Sequence, residues 1–121
     1  MGSVLLIDDD PEQLAVRAQL LSLTGHSITT ATSPDQALEA LSREAPKLVI
    51  MDLRLPRTED GLALIRRIRP MCPDARLVVL SGWAGDLAVA PERDLVDEVL
   101  PKPVRSKLLV EMVSRFTLLV L

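Results

Sequence analysis

The stretch SVLLIDDDPEQ, residues 3–13, decides how the rest of the chain is read. Val4 to Ile7 is a short aliphatic run of the kind that forms a strand covered on both faces. It ends in three consecutive aspartates. Negative charges so close together repel, and taking them out of water is costly unless a cation or hydrogen bonds compensate. Asp10 has a local explanation. It is followed by Pro11, Glu12 and Gln13, which reads as a helix start with Asp10 at N-cap, Pro11 at N1 and Gln13 closing a capping box. Ser33 to Gln36 (SPDQ) repeats that grammar before a second helix. Asp8 and Asp9 have no such explanation.

Working outward, apolar runs alternate with helix-like segments. The pattern predicts strands at 3–8, 27–31, 47–52, 76–81 and 96–100, and helices at 11–24, 34–44, 59–69 and 104–116, with a weak helix near 85–95. Leu14, Ala18 and Leu21 mark the buried face of the first helix, which ends towards Gly25. Ala37, Leu38 and Leu41 do so for the second, and Leu62, Leu64, Ile65 and Ile68 for the third, which is expected to stop at Pro70. KLVIMD and ARLVVLS suit central parallel strands, whereas the more polar SITTA suits an edge.

Five alternating units imply an α/β fold: a flavodoxin-like, doubly wound, five-stranded parallel sheet in the order 2-1-3-4-5, with helices on both faces. Ligands in such sheets bind beyond the carboxyl ends of the strands where the order reverses, here between strands one and three. Asp8 and Asp9 end the first of these and Asp52 the second. The three carboxylates should therefore share one crevice. An all-oxygen set suits a hard divalent cation such as Mg²⁺, which would relieve the repulsion. Ser81 ends strand four and Lys102 follows strand five, adding a hydroxyl and an ammonium. A carboxylate nucleophile, a metal pocket, a hydroxyl and an ammonium suit phosphoryl transfer onto an aspartate, where catalysis is mostly positioning and charge neutralisation.

Composition narrows the alternatives. The 121 residues correspond to one domain, 1–121, and 48% hydrophobic residues indicate a globular chain. A net charge of −3 argues against nucleic acid or an anionic membrane as the partner. A single cysteine, Cys72, excludes an internal disulfide and a cysteine-based metal site. With no bilayer-length apolar run and no signal-peptide pattern, the expected location is cytoplasmic. Residues 118–121 (LLVL) read as a packed helix end, a homodimer contact or the stub of a longer chain.

Over nearly its full length the chain resembles the receiver domain of two-component response regulators, through LLIDDDPEQL, LVIMDLRLP, DGLALIRRIR, VVLSG and VLPKP. The resemblance implies that Asp52 is the phosphoacceptor, taking its phosphoryl group from a sensor histidine kinase or a histidine phosphotransfer protein of a two-component system or phosphorelay. It implies Mg²⁺ held by Asp8, Asp9, Asp52 and the backbone carbonyl of Arg54. Ser81 and Lys102 would contact the phosphoryl oxygens, and the Lys102–Pro103 peptide would be cis. A conformational change would then regulate a downstream protein.

The chain departs from the family pattern at several points. Val99 stands at the switch position usually held by Tyr or Phe. Pro91 should break or shorten the fourth helix. The RTED segment between Pro56 and Gly61 is one residue longer than the common pattern. Arg54 and Trp83 occupy the two positions that usually influence phosphate lifetime. Neither offers a carboxylate or amide to orient a hydrolytic water, which implies a long-lived aspartyl phosphate. Two other readings compete. One is a degenerate receiver working as a phosphorylation-independent interaction module. The other is a haloacid-dehalogenase-type phosphatase built on Asp8-x-Asp10, which needs acids after Lys102 where only Glu111 is found.

Overall fold

The computed structural model describes residues 3–83 and 85–117. The strands are β1 (Ser3–Ile7), β2 (Ser27–Ala31), β3 (Leu48–Asp52), β4 (Arg76–Ser81) and β5 (Glu98–Pro101). The helices are α1 (Pro11–Ser22), α2 (Pro34–Arg43), α3 (Thr58–Met71), α4 (Gly85–Ala88) and α5 (Ser106–Thr117), with a 3-10 helix at Pro91–Leu95. The sheet is parallel, in the order β2-β1-β3-β4-β5, as the sequence predicts. Residues 118–121 lie outside the described residues. Among the described residues no helix is long and apolar enough to cross a membrane.

Alternation along the central strands builds two core layers. Leu5, Ile7, Val49, Met51, Leu77 and Val79 face α2 and α3, where Ala37, Leu41, Leu64, Ile65 and Ile68 meet them. Val4, Leu6, Leu48, Ile50, Val78 and Leu80 face Leu14 and Leu21 of α1 and Leu109, Met112 and Val113 of α5. Side chains of a strand alternate between faces, so a strand covered on both sides is apolar throughout. β2 stands at the edge and keeps only Ala31 fully buried.

Four local expectations are revised. Asp10 caps α1 through its carboxylate, which accepts the Glu12 and Gln13 N–H groups at 3.0 and 3.3 Å. The reciprocal half of the capping box is replaced, because the Asp10 N–H donates to Asp8 Oδ1 at 2.9 Å. Helix α1 ends earlier, at Ser22 with Leu23 as C-cap, and Gly25 takes the left-handed turn two residues later at φ 87°. Helix α3 runs past Pro70 to Met71. Pro70 sits in the last turn, and the guanidinium of Arg69 donates to the Cys72 and Pro73 carbonyls there, both at 3.0 Å. The weak helix is split as Pro91 requires, into the four residues of α4 and the 3-10 helix that Pro91 starts.

Candidate functional site: an acid pocket at the strand ends

Three strands deliver the site. Asp8 follows β1 and prolongs its pairing through an N–H bond to the Ala31 carbonyl at 3.1 Å. Asp52 is the last residue of β3, and Ser81 the last of β4. Asp8 and Asp52 are buried to 1% and 3% exposure, while Asp9 is exposed. Each of the three carboxylates offers an oxygen within 4.8 Å of the other two. Such burial of like charges stands only with compensation.

Cations supply part of it. Lys102 Nζ lies 2.8 Å from Asp52 Oδ1. The ammonium meets this buried oxygen as an ion pair, and among the described residues no hydrogen bond of regular geometry reaches it. Lys102 is itself placed by its N–H bond to the Ser81 carbonyl at 2.9 Å and by the cis peptide to Pro103. The second cation is Arg17, whose Nη1 lies 2.9 Å from Asp8 Oδ2 and 3.7 Å from Asp52 Oδ1. Burial, first, and the neighbouring Asp8 carboxylate raise Asp52 from the ordinary 3.8 to about 6, against the lowering effect of Lys102. A desolvated carboxylate held by ion pairs without a regular hydrogen bond to one oxygen, beside two more carboxylates, fits a hard divalent cation.

The remaining predicted residues divide between the pocket and its rim. Ser81 is buried, but its hydroxyl is engaged with Trp83, donating to the carbonyl at 2.7 Å and accepting from the N–H at 3.2 Å. A cleft of about 360 Å³ opens beside Asp52, lined by Leu53, Arg54, Ser81, Gly82, Trp83 and Lys102. The Arg54 side chain reaches Asp86 of α4 at 3.2 Å instead of the acid cluster. Trp83 is 67% exposed. Val99 is half-buried against the core layer of α2 and α3. Asp10 is exposed and committed to the helix cap, which removes the second acid of an Asp8-x-Asp10 phosphatase.

Arg17 is the residue the sequence reading missed, and a signal was there. It lies three residues after Leu14 and four before Leu21, on the face of α1 that packs on the sheet. An arginine on such a face calls for a buried acid to meet it. Its position is roughly 9 Å along the axis from Pro11, at 1.5 Å per residue, and side chains on a helix lean back towards its N-terminus. A long side chain at 17 thus falls onto the end of β1.

Known proteins with this chain's features agree with the geometry. The sequence model of the response regulator receiver domain matches residues 4–114. The C4-dicarboxylate transport transcriptional regulatory protein DctD of Rhizobium meliloti is 35% identical over 93% of this chain, which spans 25% of DctD. Response regulator TrrA of Thermotoga maritima, solved in complex with Mg²⁺ and BeF, superposes with a TM-score of 0.83 at 26% identity, over 96% of this chain and 99% of that one. A response regulator of Burkholderia pseudomallei, solved with a phosphorylated aspartic acid and a calcium ion, superposes with a TM-score of 0.82 at 28% identity, over 98% of this chain and 68% of that one. The acid pocket, the strand order and these matches together place the chain in the response regulator receiver domain family of two-component signalling.

Proposed function

We propose that Asp52 is the phosphoacceptor of this receiver and that a phosphohistidine, on a sensor kinase or a histidine phosphotransfer protein, is the donor. The observation that carries the assignment is the buried Asp52 carboxylate at the end of a central strand, with one oxygen ion-paired to Lys102. Transfer forms a bond between phosphorus and an Asp52 oxygen and breaks the bond from phosphorus to the donor imidazole nitrogen. That nitrogen recovers the electron pair.

Asp8, Asp9, Asp52 and the Arg54 carbonyl would hold Mg²⁺. A cation there neutralises the negative charge on the transferring phosphoryl oxygens. The other steps belong to this chain's own groups. Asp52 must be ionised to attack, so its raised pKa makes it a poor nucleophile in acid. Lys102, paired with the Asp52 carboxylate at the start, transfers its pairing to a phosphoryl oxygen as charge moves outward. Ser81 gives up its hydrogen bond to the Trp83 carbonyl and donates to another phosphoryl oxygen. That exchange frees the backbone around Trp83 and couples the chemistry to the start of α4. Val99 offers no aromatic ring to follow Ser81 inward, so the response falls on the Pro91-containing segment between Gly85 and Asp94.

The output follows from what this response reaches: a downstream protein that reads the α4 side of the domain. The aspartyl phosphate is long-lived, because neither Arg54 nor Trp83 can orient a water in line with the phosphorus. The phosphorylated aspartic acid of the Burkholderia protein and the Mg²⁺–BeF complex of TrrA support the acceptor chemistry by similarity. The experiment is incubation with acetyl phosphate and Mg²⁺ followed by intact-mass measurement. Wild type should gain the mass of one phosphoryl group, and Asp52→Asn should gain none while keeping its circular dichroism spectrum. Equal labelling of both proteins would remove the assignment, and a degenerate receiver would label neither.

A further inference from the structure

The three acid-pocket carboxylates face two resident cations, Lys102 and Arg17. We propose that the Arg17 guanidinium is a built-in competitor for the divalent cation, occupying the acid pocket until metal displaces it and so setting how much Mg²⁺ the receiver needs. The inference rests on the reading of Asp8, Asp9 and Asp52 as the metal site.

Geometry carries the argument. One nitrogen of Arg17 stands 2.9 Å from an Asp8 oxygen and 3.7 Å from an Asp52 oxygen, between the two buried carboxylates that a cation would bridge. The other Asp8 oxygen already accepts the Asp10 N–H. Both Asp8 oxygens are thus committed, and the one facing Arg17 is the one a metal would have to take over. Charge points the same way. Three carboxylates against two cations leave one net negative charge. A dication added to that set overshoots to one positive charge, whereas a dication replacing Arg17 brings the pocket to neutrality. A guanidinium and a dication held a few ångströms apart in a buried site repel strongly.

The guanidinium also has somewhere to go. The Arg17 side chain keeps 14% of its surface exposed. It lines a groove of about 470 Å³ with Gln13, Leu20, Lys102 and Val104, between α1 and the start of α5. Swinging into that groove lets it exchange the carboxylates for water without moving α1. Lys102 lines the same groove, but the reaction needs its ammonium opposite Asp52. The two cations therefore divide the work: Lys102 stays through the chemistry, and Arg17 leaves before it.

Calorimetric titration with MgCl₂ at constant ionic strength and near-neutral pH tests the proposal, on the whole chain and three variants. Arg17→Gln should bind Mg²⁺ about tenfold more tightly than wild type or better, because the competing charge is gone. Arg43→Gln, an exposed arginine of α2 paired with Glu39, removes the same charge far from the pocket and should stay within about twofold of wild type. Asp9→Asn should weaken binding by removing a ligand. If Arg17→Gln binds no more tightly than Arg43→Gln, the competitor role is wrong while the metal site stands. If neither wild type nor Arg17→Gln binds Mg²⁺, both the competitor role and the metal-site reading fall. Should Arg17→Gln not fold, the wild-type protein decides. The Arg17 guanidinium Nη–H resonances, one of which bonds Asp8, should shift and lose protection from solvent exchange as Mg²⁺ is added, and unchanged resonances through saturation overturn the proposal.

Discussion

The two ends of the β-sheet's active edge are built differently. On the β1–β3–β4 side every residue of β3 is buried, and Val4 to Ile7 of β1 and Leu77 to Ser81 of β4 are buried with them. On the β5 side the strand has only four residues, three half-buried and one exposed. The adjoining α4 is one turn long, with Leu87 alone buried. Trp83 and Val89, at either end of α4, are 67% and 88% exposed. Polar clasps supplement the few apolar contacts that side makes with the core through Leu87 and Val96: Arg54 on Asp86, Thr58 on Asp86 at 3.4 Å, and Arg66 on Glu92. A site that must hold three carboxylates together needs close-packed strands beneath it. A response that must spread from it needs a region whose alternatives lie close in free energy. The packed and the loosely held side meet across β4, whose last residue, Ser81, is hydrogen-bonded to Trp83.

The largest expected effect breaks the rigid side. Gly61 of α3 packs so close to the loop after β3 that an added Cβ would stand 1.6 Å from the Leu53 carbonyl oxygen. That oxygen is backbone and cannot yield without moving the segment that carries Arg54. Gly61→Ala should therefore destabilise the fold by about 3 kcal/mol or more in urea titration. Gly82→Ala, where an added Cβ meets nothing within 4 Å, should cost less than about 1 kcal/mol. Equal losses at the two glycines would remove the contrast between the packed side and the loose one.

Next in size is the charge held inside the packed side. In metal-free buffer Asp52→Asn should stabilise the protein by on the order of 1–2 kcal/mol above neutrality, because it removes a desolvated charge. The pH dependence has a definite sign. Folding raises the Asp52 pKa from 3.8 to about 6, so the folded state favours the protonated form. The stability this provides is complete below 3.8 and is lost as pH rises through about 6. The advantage of Asp52→Asn should thus vanish near pH 4 and reach its plateau above pH 6. A variant no more stable than wild type at pH 8 would mean that Lys102 and Arg17 fully compensate the carboxylate.

The loose side is probed by amide exchange. Residues 85–95 should exchange faster than β3 and β4, and the change on adding Mg²⁺ and beryllofluoride should be concentrated there. Protection changes confined to α1 and α5 would place the response on the opposite face. Val99→Tyr, which supplies the missing aromatic, should change that pattern only slightly. The smallest effect is expected at the rim of the cleft. The double variant Arg54→Asn with Trp83→Glu gains groups able to orient a water, and its phosphorylated form should decay several-fold faster than wild type once donor is removed. Decay at the wild-type rate would show that the two side chains do not govern phosphate lifetime.

Most of this fold was legible because its signals are local and strong. Aliphatic runs bounded by Asp10 and Ser33 caps place the strands and helices, and alternation of the two fixes a parallel sheet. Asp8, Asp9 and Asp52 were found because charges at the ends of apolar strands have few reasons to be there. Two things were legible only in part. Helix α3 passes through Pro70 and ends one residue later, with Arg69 bonding the carbonyls of the turn that follows, so the proline signal placed the end slightly early. Arg17 was legible as a cation between Leu14 and Leu21 on the buried face of α1, but not which acid it meets, since Asp8 lies on another element and comes to it only when α1 docks.

The central claim is that the buried aspartate ending β3 carries the phosphoryl group, and locating the modification tests it most directly. After incubation with acetyl phosphate and Mg²⁺, borohydride reduction converts an aspartyl phosphate to homoserine at the modified position, which fragment masses then identify. The expected result is homoserine at Asp52, with Asp8 and Asp9 unmodified. Homoserine at either of those positions, or at none in a protein that has demonstrably gained a phosphoryl group, would contradict it.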